Sequence, residues 1–246
     1  MDPTLAAVRH AVRMAPSRRL GAVFAVVAAL LSACAAGPAT VDPSGVDGLE
    51  IPTPTPDPTD FIEGIDNPYL PLQPGNEWVY EVTGDQPGTI TVTVTDETRE
   101  VAGVTTTVVR DIVTDADGEV VEETSDWFAQ DADGNVWHFG SSGSWEAGVD
   151  GAQAGLAMAA TPRVGDGYQQ EFDDGEAEDR AEVLALDESL QLGSGSYDSL
   201  LVTEDTTPLA PDLVERTYYA RGTGLVYEET ITGGTEQVEL VSFTEG

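Results

Sequence analysis

Thr89-Ile-Thr-Val-Thr-Val-Thr95 alternates polar and apolar residues without a break. Period two, with β-branched side chains throughout, marks a strand that buries one face and wets the other. The same grammar recurs roughly every ten to fifteen residues from Asn76 onward. Val104 to Thr114 is β-branched enough to be a second strand, and Asp115-Ala-Asp-Gly118 after it is turn chemistry. In such turns Asp bonds the local backbone and Gly supplies positive φ. Asp131-Ala-Asp-Gly134 repeats the device, which places strands at 104–114, 119–129 and 135–140. Beyond a Gly/Ala-rich stretch come 167–172, the turn Asp173-Asp-Gly175, then 176–186, 197–206, 214–220, 224–231 and 236–243. Gly233-Gly234 turns the last pair, and Pro208 and Pro211 mark a long loop.

About ten strands and no amphipathic helix predict a single all-β antiparallel domain over 61–246. Consecutive hairpins favour a meander curled into an open barrel or half-barrel; a two-sheet β-sandwich is the alternative.

The first 33 residues read as a signal peptide. Arg9, Arg13, Arg18 and Arg19 make a positive start, and Leu20 to Leu31 is an uncharged apolar run. Twelve helical residues rise about 18 Å, short of the roughly 30 Å hydrocarbon core, so the run is not a stable span. It closes on Leu31-Ser-Ala-Cys34, which resembles the lipobox of bacterial lipoproteins. That resemblance implies cleavage before Cys34 and a diacylglyceryl group on its sulfur. Cys34 is the only cysteine of 246 residues, so the exported fold rests on its core and not on a disulfide. Two acyl chains hold a protein firmly where one does not, placing the body on the extracytoplasmic face of the cell membrane. Residues 34–60 form the tether, with prolines at 52, 54, 56 and 58 keeping the chain extended.

The chain carries 45 acids against 10 arginines and no lysine, for a net charge of −35. Without the first 33 residues the balance is 44 acids against six arginines, or −38. Phosphate binding is driven by basic groups, so nucleic acid is excluded as a partner. Docking on anionic head groups through a basic patch is excluded for the same reason.

Several stretches are similar to a family of uncharacterised bacterial lipoproteins and secreted all-β proteins common in actinobacteria. They are Asn67-Pro-Tyr-Leu-Pro-Leu-Gln-Pro-Gly75 with Trp78, Asp126-Trp-Phe-Ala-Gln-Asp-Ala-Asp-Gly-Asn-Val-Trp137, Ser144-Trp-Glu-Ala-Gly-Val-Asp-Gly-Ala152, Gln170-Glu-Phe172 with Gly175-Glu-Ala-Glu-Asp179, and Tyr218-Tyr-Ala-Arg-Gly-Thr-Gly-Leu-Val226. His138 stands where that family resemblance leads one to expect Tyr. The resemblance implies an exported body and brings no catalytic residue with it. The last portion is also similar to strand pairs of lipoprotein-carrier half-barrels, a likeness of fold alone.

Nucleophilic catalysis has little to draw on. After Cys34 there is one histidine, His138, and no G-x-S-x-G, so no catalytic residue is assigned. Trp127, Trp137 and Trp145 fall close together beside the Gly/Ala-rich stretch 147–160, which includes Met158. An apolar loop beside aromatics can line a ligand cleft, so these four are the candidate ligand-binding residues; core packing is the plainer reading. Oxygen-rich acidic segments suit calcium. Asp131 and Asp133 are spaced like the start of a calcium loop, and Glu176, Glu178 and Asp179 crowd a second turn. Solvated hairpin turns are the plainer reading of both. The expectation is a lipid-anchored binding module for an apolar or amphipathic, lipid-like ligand and not an enzyme. The alternative is a structural protein that meets an envelope protein, with calcium assisting.

Overall fold

The computed structural model describes residues 56–246. The signal segment, Cys34 and most of the tether lie outside the described residues. The described end of the tether is a 3-10 turn, Pro58–Asp60, where an extended spacer was expected. The Asp57 carboxylate caps it by accepting from the Thr59 amide at 2.9 Å, and the Ala132 amide donates to the Asp60 carbonyl.

The strands are β1 (Phe61–Ile62), β2 (Glu77–Thr83), β3 (Gly88–Val101), β4 (Val104–Asp115), β5 (Val120–Asp131), β6 (Val136–Ser141), β7 (Trp145–Glu146), β8 (Gly155–Met158), β9 (Gly167–Gln169), β10 (Arg180–Leu192), β11 (Gly195–Thr206), β12 (Val214–Ala220), β13 (Gly224–Thr232) and β14 (Gln237–Thr244). All belong to one antiparallel sheet in the order β7-β6-β5-β4-β3-β2-β14-β13-β12-β11-β10-β9, with β1 on β5 and β8 on β6. It is two meanders, β2–β7 and β9–β14, joined where β2 pairs with β14 through Val82↔Val238 and Leu240↔Tyr80. The expected all-β meander is what forms, as one sheet and not as the sandwich.

The ends of this order meet. β8 lies on β6 through His138↔Gly155 and Val136↔Met158. Just before it, Gln153 bridges Phe172, its amide donating to the Phe172 carbonyl at 2.8 Å. Phe172 lies three residues past β9, so the sheet must curl until its first and last strands are neighbours.

Two expectations are corrected. The strand expected over 176–186 starts only at Arg180. Asp173 pairs back on Ala177 around Gly175, whose φ is +80, and Ala177 is buried, so 173–177 is a closed turn. The stretch 147–160, expected as an apolar loop, contains β8 and buries Ala147, Ala152, Ala154, Ala157 and Met158.

Alternation along β5 and β6 sorts the apolar residues into two clusters on opposite faces. Phe128 and Val136 join the larger, with Trp78, Tyr80, Ile90, Leu200, Tyr219 and Leu240. Trp127, Ala129, Trp137 and Phe139 join the smaller, with Trp145 and the buried alanines of 147–154. The Arg99 guanidinium lies 4.1 Å over the Trp127 ring and bonds Glu146 at 2.6 Å, covering the smaller cluster.

Gly155 is the tightest point of the closure: a Cβ there would stand 1.9 Å from the Gln170 carbonyl oxygen. Backbone cannot move aside as a side-chain tip can. Gly155→Ala is expected to lower the urea-unfolding free energy by about 1–3 kcal/mol. Gly143→Ala meets nothing within 4 Å and should cost only its left-handed backbone, about 1 kcal/mol. Equal losses would contradict this account of the closure.

Candidate functional site

In β4 the residues Val109, Asp111 and Val113 share a face, so the pleat that buries the valines also buries the aspartate. Across the ladder Asp126 of β5 faces Val109, and Thr124 faces Asp111. β6 follows with a register shift between Trp127 and Phe128 that sets His138 opposite Phe128 and Ser141 opposite Asp126. The imidazole stacks on Phe128 at 4.7 Å and meets the Trp145 ring edge-on at 5.0 Å.

His138 and Asp126 are 0% exposed, with Nε2 3.4 Å from the Asp126 Oδ1. Its Nδ1 lies 3.5 Å from Oε1 of Glu171, a residue of the segment that closes the sheet. The Asp111 carboxyl is pushed well above the usual carboxylate range, first by burial, then by the neighbouring Asp126, then by Glu122. A carboxyl buried beside other carboxyls is disfavoured as an anion, and Asp111 is pushed toward its neutral form on that account. Glu122 is pushed up to about 7, by burial and then by Asp126. Burial also raises the Tyr80 hydroxyl well above its ordinary range, with Asp111, Glu228 and Tyr197 adding to it. A four-membered row, Asp111, Asp126, His138 and Glu171, thus crosses the interior from β4 to the closing segment. Both ring nitrogens face carboxylates, and the buried Ser141 hydroxyl has no hydrogen-bond partner. The geometry of a serine nucleophile beside a free imidazole nitrogen is therefore not formed here.

The residues singled out from sequence are distributed otherwise. Trp127, Trp137 and Trp145 do meet, but as core, each about 95% buried. Met158 belongs to the other cluster. Asp131 is saturated: Oδ1 accepts the amides of Asp133 and Asn135, and Oδ2 accepts the Asn135 amide group and the Trp137 indole at 2.8 Å. Asp133 and Glu176 are exposed, Glu178 accepts the Gly175 amide, and Asp179 is buried. Among the described residues no three of His, Cys, Asp or Glu are grouped as an ion requires. Asp111 and Asp126 escaped sequence reading, although an acid among the inward valines of β4 was a usable sign.

A second feature lies along β10. β9 pairs only with Arg180–Glu182, and the Val183 amide donates to Asp166. Among the described residues no strand lies beside the outer edge of β10 from Leu184 onward. There Leu186, Leu190, Leu192 and Tyr197 of β11 pack on the main core while staying partly exposed.

No protein-family model matches the chain, and no curated protein matches it in sequence. Among solved structures it is similar to a protein of Bacteroides fragilis described as exported with a YmcC-like fold. That match has a TM-score of 0.45 and 12% identity over 76% of this chain and 100% of the other. It is also similar to a protein of Parabacteroides distasonis described as a lipoprotein, with a TM-score of 0.45 and 12% identity over 72% of this chain and 98% of the other.

Asp111 and Glu122 bind protons more tightly folded than unfolded. The folded chain therefore holds more protons between the ordinary carboxylate range and about pH 7, and stability falls as pH rises through that window. The melting temperature is expected to be higher at about pH 5 than at about pH 8. Asp111→Asn keeps a hydrogen at every pH and should narrow the difference. An unchanged difference in that variant would remove Asp111 from the account.

Proposed function

We propose that this chain is a lipid-anchored extracytoplasmic binding module of the lipoprotein family it resembles, and not an enzyme. Cys34 carries the anchoring reading: the sole thiol stands where lipobox processing requires one, directly after an apolar run too short to span. The ligand is apolar or amphipathic. Its seat is the unflanked part of β10 with β11, where Leu186, Leu190, Leu192 and Tyr197 lead from the surface to the core. This replaces the tryptophans, which are themselves core. Three register shifts against β11, with Asp187 and Glu188 exposed, break the regularity that a further strand would need along this edge. The row therefore offers side chains to a ligand more readily than backbone to a strand.

Cys34→Ser is expected to move the protein from the membrane fraction to the released fraction in a bacterial host that makes lipoproteins. Continued membrane retention would overturn the anchoring reading.

The released Cys34→Ser protein, purified without detergent, should show by native mass spectrometry an added lipid-sized mass that organic extraction removes. Leu190→Asp should abolish that mass while leaving the melting curve two-state. A bare mass together with a calcium-dependent rise in melting temperature would favour instead the envelope-interaction role.

A further inference from the structure

The apolar row along β10 ends beside a second, differently built surface. Leu190 and Leu192 lie near the tip of the β10–β11 hairpin, where Leu192 pairs with Gly195 around Gly193-Ser194. That tip is tied down: the Gly193 amide donates to Oε1 of Glu239 in β14 at 2.6 Å. Leu192 is thereby carried to the row in which Glu239 faces Tyr227 of β13 and Tyr227 faces Tyr218 of β12.

The rings of Tyr218 and Tyr227 have centroids 5.6 Å apart and planes inclined at 49°, so they stand as two walls of a notch. Both pack on the main core and stay partly exposed, as the leucines of the seat do. Carboxylates surround them. Glu239 adjoins Tyr227 in the ladder, with the exposed Glu81 beyond it. Glu229, two residues along β13 and so on the same face, accepts the Tyr218 hydroxyl at 3.0 Å. Arg216, two residues before Tyr218, lies 3.4 Å from Glu204, opposite it on β11. Four glutamates thus share this face with one arginine. Burial, then the hydrogen bond and charge of Glu229, push the Tyr218 phenol up to about 12, so its ring stays neutral. Burial, with Glu229 and Glu239, raises Tyr227 likewise.

Neutral aromatic faces attract cations through their quadrupole, and alkylammonium groups are favoured guests. Carboxylates beside the rings add attraction of the same sign and repel an anionic head. We propose that Tyr218 and Tyr227, with Glu229 and Glu239, form the head-group subsite of the β10 seat, and that the ligand is an amphiphile with an ammonium head. The subsite rests on the seat proposed above: the alkyl chain lies along Leu186, Leu190 and Leu192, and the ammonium lies against the tyrosine rings between the two carboxylates. A fatty acid fits the same leucines and is turned away at its head.

Calorimetric titration of the released Cys34→Ser protein tests head and chain separately. The probes are decyltrimethylammonium, decyl maltoside and decanoate, each below its micelle-forming concentration. The ammonium should bind about tenfold more tightly than the maltoside, and decanoate most weakly. Glu229→Gln with Glu239→Gln keeps an oxygen for the Tyr218 hydroxyl and for the Gly193 amide. That double variant should lose about tenfold in affinity for the ammonium and none for the maltoside, with an unchanged melting curve. Leu190→Asp should weaken the maltoside. Equal affinity for the three probes in the parent, or an ammonium affinity untouched in the double variant, would overturn the ammonium head and leave the alkyl seat standing. Binding of none of them, or a maltoside indifferent to Leu190→Asp, would overturn the seat itself. Lysophosphatidylcholine, with the same ammonium beside a phosphate, separates the sources. Binding as tight as that of decyltrimethylammonium places the ligand among bilayer lipids, and weaker binding places it among cationic amphiphiles free in solution.

Discussion

At residue 155 the two ends of the sheet pass with room for a hydrogen atom and nothing more between them. Every other arrangement in the molecule depends on that passage. Because β8 reaches β6 on one side and residues 170–172 lie against it on the other, the sheet encloses its inward side chains instead of leaving them on an open face. Enclosure lets Trp78, Tyr80, Ile90, Leu200 and Leu240, drawn from distant parts of the chain, form one cluster. It also takes the inward-facing acids out of water.

That second effect sets the electrostatics. An unpaired ion left inside destabilises a protein by roughly 3–5 kcal/mol, whereas shifting a carboxyl by one pH unit costs about 1.4 kcal/mol. The interior follows the cheaper course at each position. Burial and neighbouring acids push Asp111 toward its neutral form, and Asp205 accepts the hydroxyls of Thr203 and Thr217 at 3.1 and 2.6 Å. Asp126 and Glu171 flank the His138 imidazole.

The long strands were legible because they announce themselves locally. Thr89 to Thr95 alternates, the Asp-Ala-Asp-Gly turns are self-contained, and the observed β3, β4, β5, β11, β12, β13 and β14 fall where such signals put them. The short strands β7 and β8 carry no such signal. Gly155-Leu-Ala-Met158 is a strand only because β6 and the segment after β9 stand on either side of it, and neither is near in sequence. The same distance hid the site. Nothing adjacent to His138 in the chain says that Glu171 will face it, whereas Trp137 and Asp131, both singled out for other reasons, turn out to bond each other. Aromatic clustering was read correctly as proximity, but proximity of large apolar rings is satisfied by a core as well as by a cleft.

The pairing of β2 with β14 has a consequence for how the molecule comes into being. Partners such as Val82 and Val238 lie more than 150 residues apart, and β2 finds β14 only once residues 237–244 have been made. A polypeptide delivered from its N-terminus, by a ribosome or through a pore, presents its first meander with β2 as an unprotected flank for the whole delay. Contacts of such long range also make assembly slow once the last strand arrives. The threonines that alternate along β3 and the exposed Glu77 and Glu81 of β2 then act in time as well as in space: they keep an incomplete sheet wet and self-repelling until residues 237–244 are available to complete it.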